Sequence, residues 1–159
     1  MPTPVETQLY LAREADTLAL GEKIAGLVTQ GMFISLHGNL GSGKTTLTRG
    51  LLRGLGFAEK VKSPTYTLVE HYRLSALDLY HFDFYRFNNA LELSDAGFRD
   101  YFEGHNVCVV EWPERASEIL PAADLDIQLT IEGDGRRARI DAATQKGKTC
   151  LAQLRGGLT

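Results

Sequence analysis

Hydrophobic positions divide the first part of the chain into a strand, a glycine-rich turn and a helix. Met32 to Leu36 is an apolar run of strand length, and Leu47, Leu51 and Leu55 follow the turn at helical spacing. Apolar residues three or four positions apart lie on one face of a helix. We therefore predict a strand, a turn and an amphipathic helix in direct succession.

Two other segments have rough helical spacing, and a third has the pattern of a buried strand. The apolar residues of 6–30 and of 88–103 predict a helix in each segment. Val107 to Glu111 is short, continuous and apolar, which is typical of a strand inside a parallel sheet. We therefore predict that this run is a buried strand of the parallel part of the sheet.

Two pairs of strand-like runs predict hairpins. Residues 66–72 and 77–85 are joined by a short polar connection, which permits only antiparallel pairing. Residues 125–131 and 137–142 flank the turn Gly133-Asp134-Gly135, which is a hairpin signal. The sheet is thus expected to be mixed, with a parallel core and antiparallel hairpins.

The glycine-rich turn, Gly38 to Thr45 (GNLGSGKT), fits the phosphate-loop pattern G-x-x-x-x-G-K-[ST] at every fixed position. Its glycines let backbone N–H groups wrap closely around phosphate oxygens, and the helix N-terminus adds partial positive charge. We expect Lys44 to bridge the β- and γ-phosphates of a nucleoside triphosphate and the Thr45 hydroxyl to ligate Mg²⁺. The candidate cofactor-binding residues are Leu40, Gly41, Ser42, Gly43, Lys44, Thr45 and Thr46.

Length and composition bound the architecture. The chain has 159 residues, 43% of them hydrophobic, which suits one domain with a full core. No repeat, low-complexity segment or linker divides it. With the phosphate loop, these features predict a single α/β domain over residues 1–159. We expect a three-layer fold of the P-loop NTPase type, in which helices cover the mixed sheet.

A phosphate-loop enzyme also needs a carboxylate at the end of a neighbouring strand, to hold the Mg²⁺ shell or to orient water. Glu111 ends its apolar strand, at the edge where open α/β sheets bind ligands. Asp83 lies in an alternating run, although an ion pair with Arg86 would give it a structural role instead. The candidate catalytic residues are Lys44, Asp83 and Glu111, and the candidate metal ligands are Thr45, Asp83 and Glu111.

Four further residues carry weaker signals. His81 could assist catalysis, but the pattern favours a hydrogen-bonded structural histidine. A structural role is favoured more strongly still for His37, which lies in the strand before the loop. Trp112 suits either stacking on a base or partner or anchoring in the core. Thr65 follows a proline between two elements, which suits a segment that senses the γ-phosphate.

Charge and apolar runs exclude some classes of protein. The formal net charge of −3 argues against a dedicated nucleic-acid binder. No apolar run approaches the roughly 20 residues of a membrane span, and the N-terminus lacks signal-peptide features. Cys108 and Cys150 show no metal-ligand spacing, and Cys108 is expected to be a buried thiol. We expect a cytoplasmic protein without a membrane partner.

Basic residues predominate near the end of the chain. They are Arg136, Arg137, Arg139, Lys146, Lys148 and Arg155, against only Asp141. A solvated edge strand and tail is the default interpretation of such a distribution. A docking surface for an acidic partner or RNA is the alternative.

With these residues in view, the chain resembles the bacterial TsaE (YjeE) family, the P-loop ATPases of tRNA threonylcarbamoyladenosine biosynthesis. Five blocks carry the resemblance in the family's order and spacing, over nearly the whole chain. They are 38–46 with Arg49-Gly50, 61–69 (VKSPTYTLV), 80–86 (YHFDFYR), Glu92 with Gly97, and 110–114 (VEWPE). Two positions depart from the family: Asn39, where Asp is usual, and Ser42, where Ala is common. Neither departure removes a required group.

The resemblance implies slow, Mg²⁺-dependent hydrolysis of ATP in concert with the TsaD and TsaB proteins. TsaD transfers a threonylcarbamoyl group to the tRNA adenosine next to the anticodon, while the ATPase assists turnover and meets tRNA only indirectly through the complex. The resemblance also implies that Thr45 and Glu111 ligate Mg²⁺ and that Asp83 acts in Mg²⁺ coordination or hydrolysis. It implies a switch-like role for 63–66 and an adenine pocket near 14–18.

Three other functions are considered. A small-molecule kinase usually carries an arginine-bearing lid, and no lid insertion follows the loop helix. A regulatory GTPase would carry a guanine-reading Asn-Lys-x-Asp motif, which is absent. A nucleotide-dependent scaffold that does not hydrolyse ATP differs from a slow ATPase chiefly in rate, and it stays open.

Overall fold

The computed structural model describes residues 5–29, 31–62, 64, 68–86 and 97–157. Within these residues the strands are β1 (Val5–Leu11), β2 (Phe33–His37), β3 (Val69–Arg73), β4 (Asp78–Asp83), β5 (Val107–Glu111), β6 (Leu125–Glu132) and β7 (Gly135–Ala142). The α-helices are α1 (Glu14–Ala25), α2 (Lys44–Gly54) and α3 (Gln145–Gly157). Two 3₁₀ helices span Phe98–Phe102 and Pro113–Ala116.

The strands form one mixed sheet in the order β1-β7-β6-β2-β5-β4-β3. Its centre is parallel, because β2 pairs in parallel with both β5 and β6, and β5 pairs in parallel with β4. Antiparallel pairs lie on both sides: β6 with β7, β7 with β1, and β4 with β3. The predicted α/β fold with a parallel core and antiparallel hairpins is confirmed.

The two faces of the sheet are covered differently. One face packs against α1, α2 and α3 in the larger hydrophobic cluster, to which β4 and β5 contribute Leu79, Val107 and Val109. The opposite face carries a smaller aromatic cluster that includes Phe82 and Phe84 and lies against the 3₁₀ segments. Successive side chains of a strand alternate between faces, so His81 and Asp83 lie on the same side of the sheet as Leu79, the side that the α-helices cover.

Helices α1 and α2 pack so closely that two glycines are required at their contact. A Cβ on Gly21 would meet the Leu51 nitrogen at 2.6 Å and would also clash with the Leu47 carbonyl oxygen. A Cβ on Gly50 would clash with the Leu18 carbonyl oxygen. The close contact fixes α2, and hence the end of the loop that precedes it, against α1.

Three sequence-based assignments need correction. The predicted helix over 6–30 is wrong in its first part, where residues 5–11 form β1 and the helix begins only at Glu14. Backbone pairing with β7 overrides the rough helical spacing there. Most of the predicted helix over 88–103 lies outside the described residues, and the described end, 98–102, is a 3₁₀ helix.

The third correction concerns the basic stretch near the end of the chain. It is not a solvated edge strand and tail, because β1 covers the edge of β7 and residues 145–157 fold as α3. One face of α3 is buried through Cys150, Leu151 and Leu154. None of the helices in the described part of the chain has both the length and the apolar character needed to cross a membrane.

Candidate nucleotide-binding site

The phosphate loop lies at the carboxyl ends of the parallel strands, where open α/β sheets bind ligands. It connects β2 to α2 and borders a cavity of about 510 Å³. The carboxyl ends of β4 and β5 contribute Asp83 and Glu111 to the same cavity. The fold thus brings the predicted loop and both predicted acids around one space. The loop residues that line it are Leu40, Gly41, Gly43, Lys44, Thr45 and Thr46.

The backbone of the loop has the conformation that its glycines permit. Gly43 precedes α2 with a φ of 105°, in the left-handed region that favours glycine. A Cβ on Gly38 would lie 2.6 Å from the Leu129 carbonyl oxygen and would clash with Ser42 Oγ. Helix α2 therefore begins directly at Lys44. Its first N–H groups have no partners within the helix, as an anion site at a helix N-terminus requires.

Lys44 folds back onto its own loop. Its Nζ donates a hydrogen bond to the Gly38 carbonyl oxygen at 2.6 Å and lies 3.9 Å from the centre of the Trp112 ring. Burial lowers the pKa of Lys44, and the negative charges of Glu111 and Asp83 act in the opposite direction. The side chain of Lys44 is thus largely withdrawn from water.

Asp83 and Glu111 lie side by side because β4 and β5 pair in parallel with these two residues in register. Both side chains are buried. The Tyr85 N–H donates to Asp83 Oδ1 at 3.0 Å, and Glu111 Oε2 lies 2.6 Å from Nε2 of His81. Two carboxylates thus border the cavity that Lys44 and Thr45 also line.

This donor set fits a hard cation held jointly with phosphate. The Thr45 hydroxyl and the carboxylates of Asp83 and Glu111 offer oxygen, which Mg²⁺ prefers. Among the described residues, no group of three His, Cys, Asp or Glu side chains could hold a metal on its own. Mg²⁺ is commonly bound by one or two carboxylates together with substrate phosphates, so the arrangement suits that mode rather than an all-protein cage.

Comparisons with known proteins identify the family. The family model described as "Threonylcarbamoyl adenosine biosynthesis protein TsaE" matches residues 11–139. This chain belongs to the TsaE family. The predicted site residues of this TsaE-family chain all fall within the matched range.

Individual relatives of the TsaE family agree with that assignment. The chain is 40% identical over 148 residues to "tRNA threonylcarbamoyladenosine biosynthesis protein TsaE" of Haemophilus influenzae, covering 90% of this chain and 94% of the relative. The Bacillus subtilis protein of the same name is 40% identical over 122 residues, covering 77% of this chain and 76% of the relative. The crystal structure of YdiB from Bacillus subtilis superposes with a TM-score of 0.85 at 29% identity, with both chains covered in full.

Other predicted residues of this TsaE-family chain lie elsewhere or have other contacts. Ser42 borders a second cavity, of about 430 Å³, and its buried Oγ has no hydrogen-bond partner among the described residues. Trp112 borders both cavities, and its ring lies 5.0 Å from that of Tyr85. Residues 63 and 65–66 of the predicted switch lie outside the described residues. His37 lies at the second cavity, paired with Asp126 and Glu114.

Two groups of cavity residues were missed or only partly anticipated from the sequence. Leu11, Ala12 and Arg13 join Glu14 and Thr17, so the segment predicted near the adenine extends back to the end of β1. Arg136 follows the β6–β7 turn and donates to the carbonyl oxygens of Gly41 at 3.0 Å and Ser42 at 3.2 Å.

Both groups reach the TsaE-family loop through the pairing of β1 with β7. In the sequence, only the Gly133-Asp134-Gly135 turn indicated the β6–β7 hairpin. That signal did not indicate that the hairpin lies beside the phosphate loop. The buried thiol predicted at Cys108 is present, and burial raises the pKa of Cys108 to about 12.

Proposed function

We propose that this chain is a slow, Mg²⁺-dependent ATPase that supports threonylcarbamoyl transfer to tRNA adenosine, acting with TsaD and TsaB. The observation that carries the proposal is the convergence of Lys44, Thr45, Asp83 and Glu111 on one cavity at the carboxyl ends of the parallel strands. The relatives, which are named as tRNA threonylcarbamoyladenosine biosynthesis proteins, supply the biological setting.

In this proposal the loop binds the phosphates through its backbone N–H groups. Lys44 exchanges its hydrogen bond with the Gly38 carbonyl for the β- and γ-phosphate oxygens. Thr45, Asp83 and Glu111 would hold Mg²⁺, which neutralises charge that develops on the phosphates during transfer. If Asp83 is not among the ligands, its carboxylate would instead orient water toward the γ-phosphate.

The proposal assigns the adenosine end to another part of the same cavity. Leu11, Ala12, Arg13, Glu14 and Thr17 line that part, at the end of β1 and the start of α1. Arg136 and Gly135 form the wall beside the loop. A pocket of about 510 Å³ with this mixture of polar and apolar walls falls within the usual size range of small-molecule sites.

ATP turnover tests the proposal directly. It is measured for the purified chain alone, then with TsaB, TsaD and tRNA added, beside a Lys44→Ala control. We expect weak turnover alone, a rise with the partners, and loss in the control. Robust turnover that is indifferent to the partners would contradict the proposal and direct the search toward a small acceptor, as in a kinase.

A second experiment separates hydrolysis from nucleotide binding. Glu111→Gln keeps the size of the side chain but removes its charge. We expect this variant to bind ATP and to lose turnover together with partner-dependent tRNA modification. Full modification in the complete absence of hydrolysis would instead favour the nucleotide-dependent scaffold.

A further inference from the structure

The carboxylate of Glu111 has a buried partner that does not reach the cavity. His81 lies on β4, two residues before Asp83, and its side chain is 0% exposed. Its Nε2 lies 2.6 Å from Glu111 Oε2. Glu111 lines the nucleotide cavity, whereas His81 lies behind it and lines no part of it.

The sheet register explains why this contact forms. In the parallel β4–β5 pair His81 is in register with Val109, and Asp83 with Glu111. Residues two apart on a strand share a face, so the imidazole and both carboxylates lie on the α2 side of the sheet. Glu111 can therefore receive the His81 hydrogen bond while it faces the cavity.

The second ring nitrogen of His81, Nδ1, helps to assign the hydrogen bond between the ring and Glu111. Among the described residues, Nδ1 of His81 is buried and has no hydrogen-bond partner. In the described part of the chain, Glu111 is thus the hydrogen-bonding partner of the His81 ring. A carboxylate oxygen accepts hydrogen bonds, so the proposal assigns the hydrogen of this contact to Nε2.

We propose that His81 is a positioning residue for Glu111: its Nε2–H engages Oε2 and fixes the carboxylate, so that the other oxygen serves the metal–nucleotide complex. The inference rests on the proposed function, since it assigns the residue that orients one of its acids. Partners of this kind around metal-binding carboxylates typically change metal affinity or activity by about 10- to 100-fold when replaced.

Two amide substitutions separate the two ring nitrogens. In His81→Gln the amide nitrogen falls close to the position of Nε2, and in His81→Asn it falls close to that of Nδ1. His71→Gln is the matched control, because His71 lies on the adjacent strand β3, pairs with Asp78 and borders no part of the cavity. All variants are made in the full chain.

Three readouts are compared: kcat and KM for ATP with partners present, half-saturation by Mn²⁺ in the presence of ATP followed by electron paramagnetic resonance, and the denaturation midpoint. We expect His81→Asn to lose about 10- to 100-fold in kcat or Mn²⁺ affinity, with KM nearly unchanged. His81→Gln should recover most of that loss at a similar denaturation midpoint, and His71→Gln should match the wild type.

Equal behaviour of His81→Asn and the wild type would overturn the proposal. So would equal losses in both His81 variants that simply follow their loss of stability. Nuclear magnetic resonance of the protein without nucleotide adds an independent test: the His81 Nε2–H proton should be protected from exchange with water and should shift in Glu111→Gln. Absence of that proton signal counts against the positioning role, whereas absence of ATP turnover by the wild type counts against the proposed function.

Discussion

The ammonium of Lys44 lies against the ring of Trp112, 3.9 Å from the ring centre. Trp112 adopts a left-handed backbone conformation, with a φ of 57°, directly after the last residue of β5. A non-glycine residue is uncommon in this region, and the turn places the indole over the phosphate loop instead of extending the strand. Two successive residues at the end of β5, Glu111 and Trp112, thus both act on Lys44, one through its charge and the other through its ring.

This contact predicts an optical signal for ligand binding. Trp112 is the only tryptophan of the chain. We expect bound phosphate to draw Lys44 away from the ring. The indole would then lose a cation at close range, so its intrinsic fluorescence should change on titration with ATP. Lys44→Ala should show an altered starting spectrum and a much smaller response. An identical response in both proteins would show that the fluorescence change does not come from displacement of Lys44.

The contact of Arg136 with the phosphate loop predicts a loss of nucleotide affinity in Arg136→Gln. The guanidinium donates to the carbonyl oxygens of Gly41 and Ser42, and charge-assisted hydrogen bonds of this kind contribute about 1.5–3 kcal/mol. Without them the loop is less well ordered, and we expect Kd for ATP to rise about tenfold, equivalent to about 1.4 kcal/mol. Isothermal titration calorimetry measures the change.

Arg137→Gln is the control for that experiment. Arg137 is the next residue along β7, and it forms an ion pair with Glu132 at 2.9 Å instead of reaching the loop. Its replacement should leave Kd unchanged, because exposed ion pairs contribute little. Equal losses in the two variants would point to general electrostatic attraction of the nucleotide and not to support of the loop.

The contact between α1 and α2 predicts that Gly21→Ala is strongly destabilising. The added methyl group would lie 2.6 Å from the Leu51 nitrogen, on a backbone that α2 holds in place. We expect the free energy of unfolding to fall by about 1–3 kcal/mol, measured by urea denaturation. Gly26→Ala at the end of the same helix has no atom closer than 3.6 Å and should be nearly neutral. A neutral Gly21→Ala would mean that the helices can separate without cost.

The pair formed by His37 and Asp126 predicts a stability term that depends on pH. The hydrogen bond to Asp126 raises the pKa of His37, against the lowering effect of burial. Burial alone would raise the pKa of Asp126, but its hydrogen bonds with His37 and Ser35 outweigh burial and lower it. The histidine contribution is complete below its ordinary pKa of about 6.5 and is lost as pH rises through the raised value. The aspartate contribution is complete above about pH 3.9 and is lost as pH falls through the lowered value.

A double-mutant cycle with His37→Gln and Asp126→Asn measures this coupling by urea denaturation across pH. The coupling free energy should be largest between about pH 4 and 6.5 and should decline toward pH 9. A coupling that is constant from pH 5 to 9 would show that the pair is held by neutral hydrogen bonding alone.

The parts of the fold predicted correctly are those encoded by local signals. The glycines and Lys44 of the phosphate loop fixed the junction of β2 and α2, and the apolar run ending at Glu111 fixed β5. The turn at Gly133 placed the β6–β7 hairpin. Each of these signals lies within about ten residues of the element it specifies, so no knowledge of the tertiary structure was needed.

The parts that escaped prediction depend on distant partners. β1 is a strand because its backbone pairs with β7, more than 120 positions along the chain, and not because its side chains alternate strongly. Helix α3 contains Gly147, Gly156 and Gly157, which have low helix propensity, and it is stabilised by packing on the sheet. Arg136 reached the site by the same route, since only the strand order brings its side chain to the phosphate loop.

Strand β4 ties the chemistry of the site to the packing on the other side of the sheet. Phe82 and Phe84 lock into the aromatic cluster, and the alternation of the strand then sends His81 and Asp83 to the opposite side. A shift of the strand by one residue would exchange these roles and present phenylalanine to the nucleotide cavity. The packing of the aromatic cluster therefore sets which side of the sheet carries the acidic residues. Substitutions in that cluster, such as Phe82→Leu, are expected to alter turnover although they lie away from the cavity.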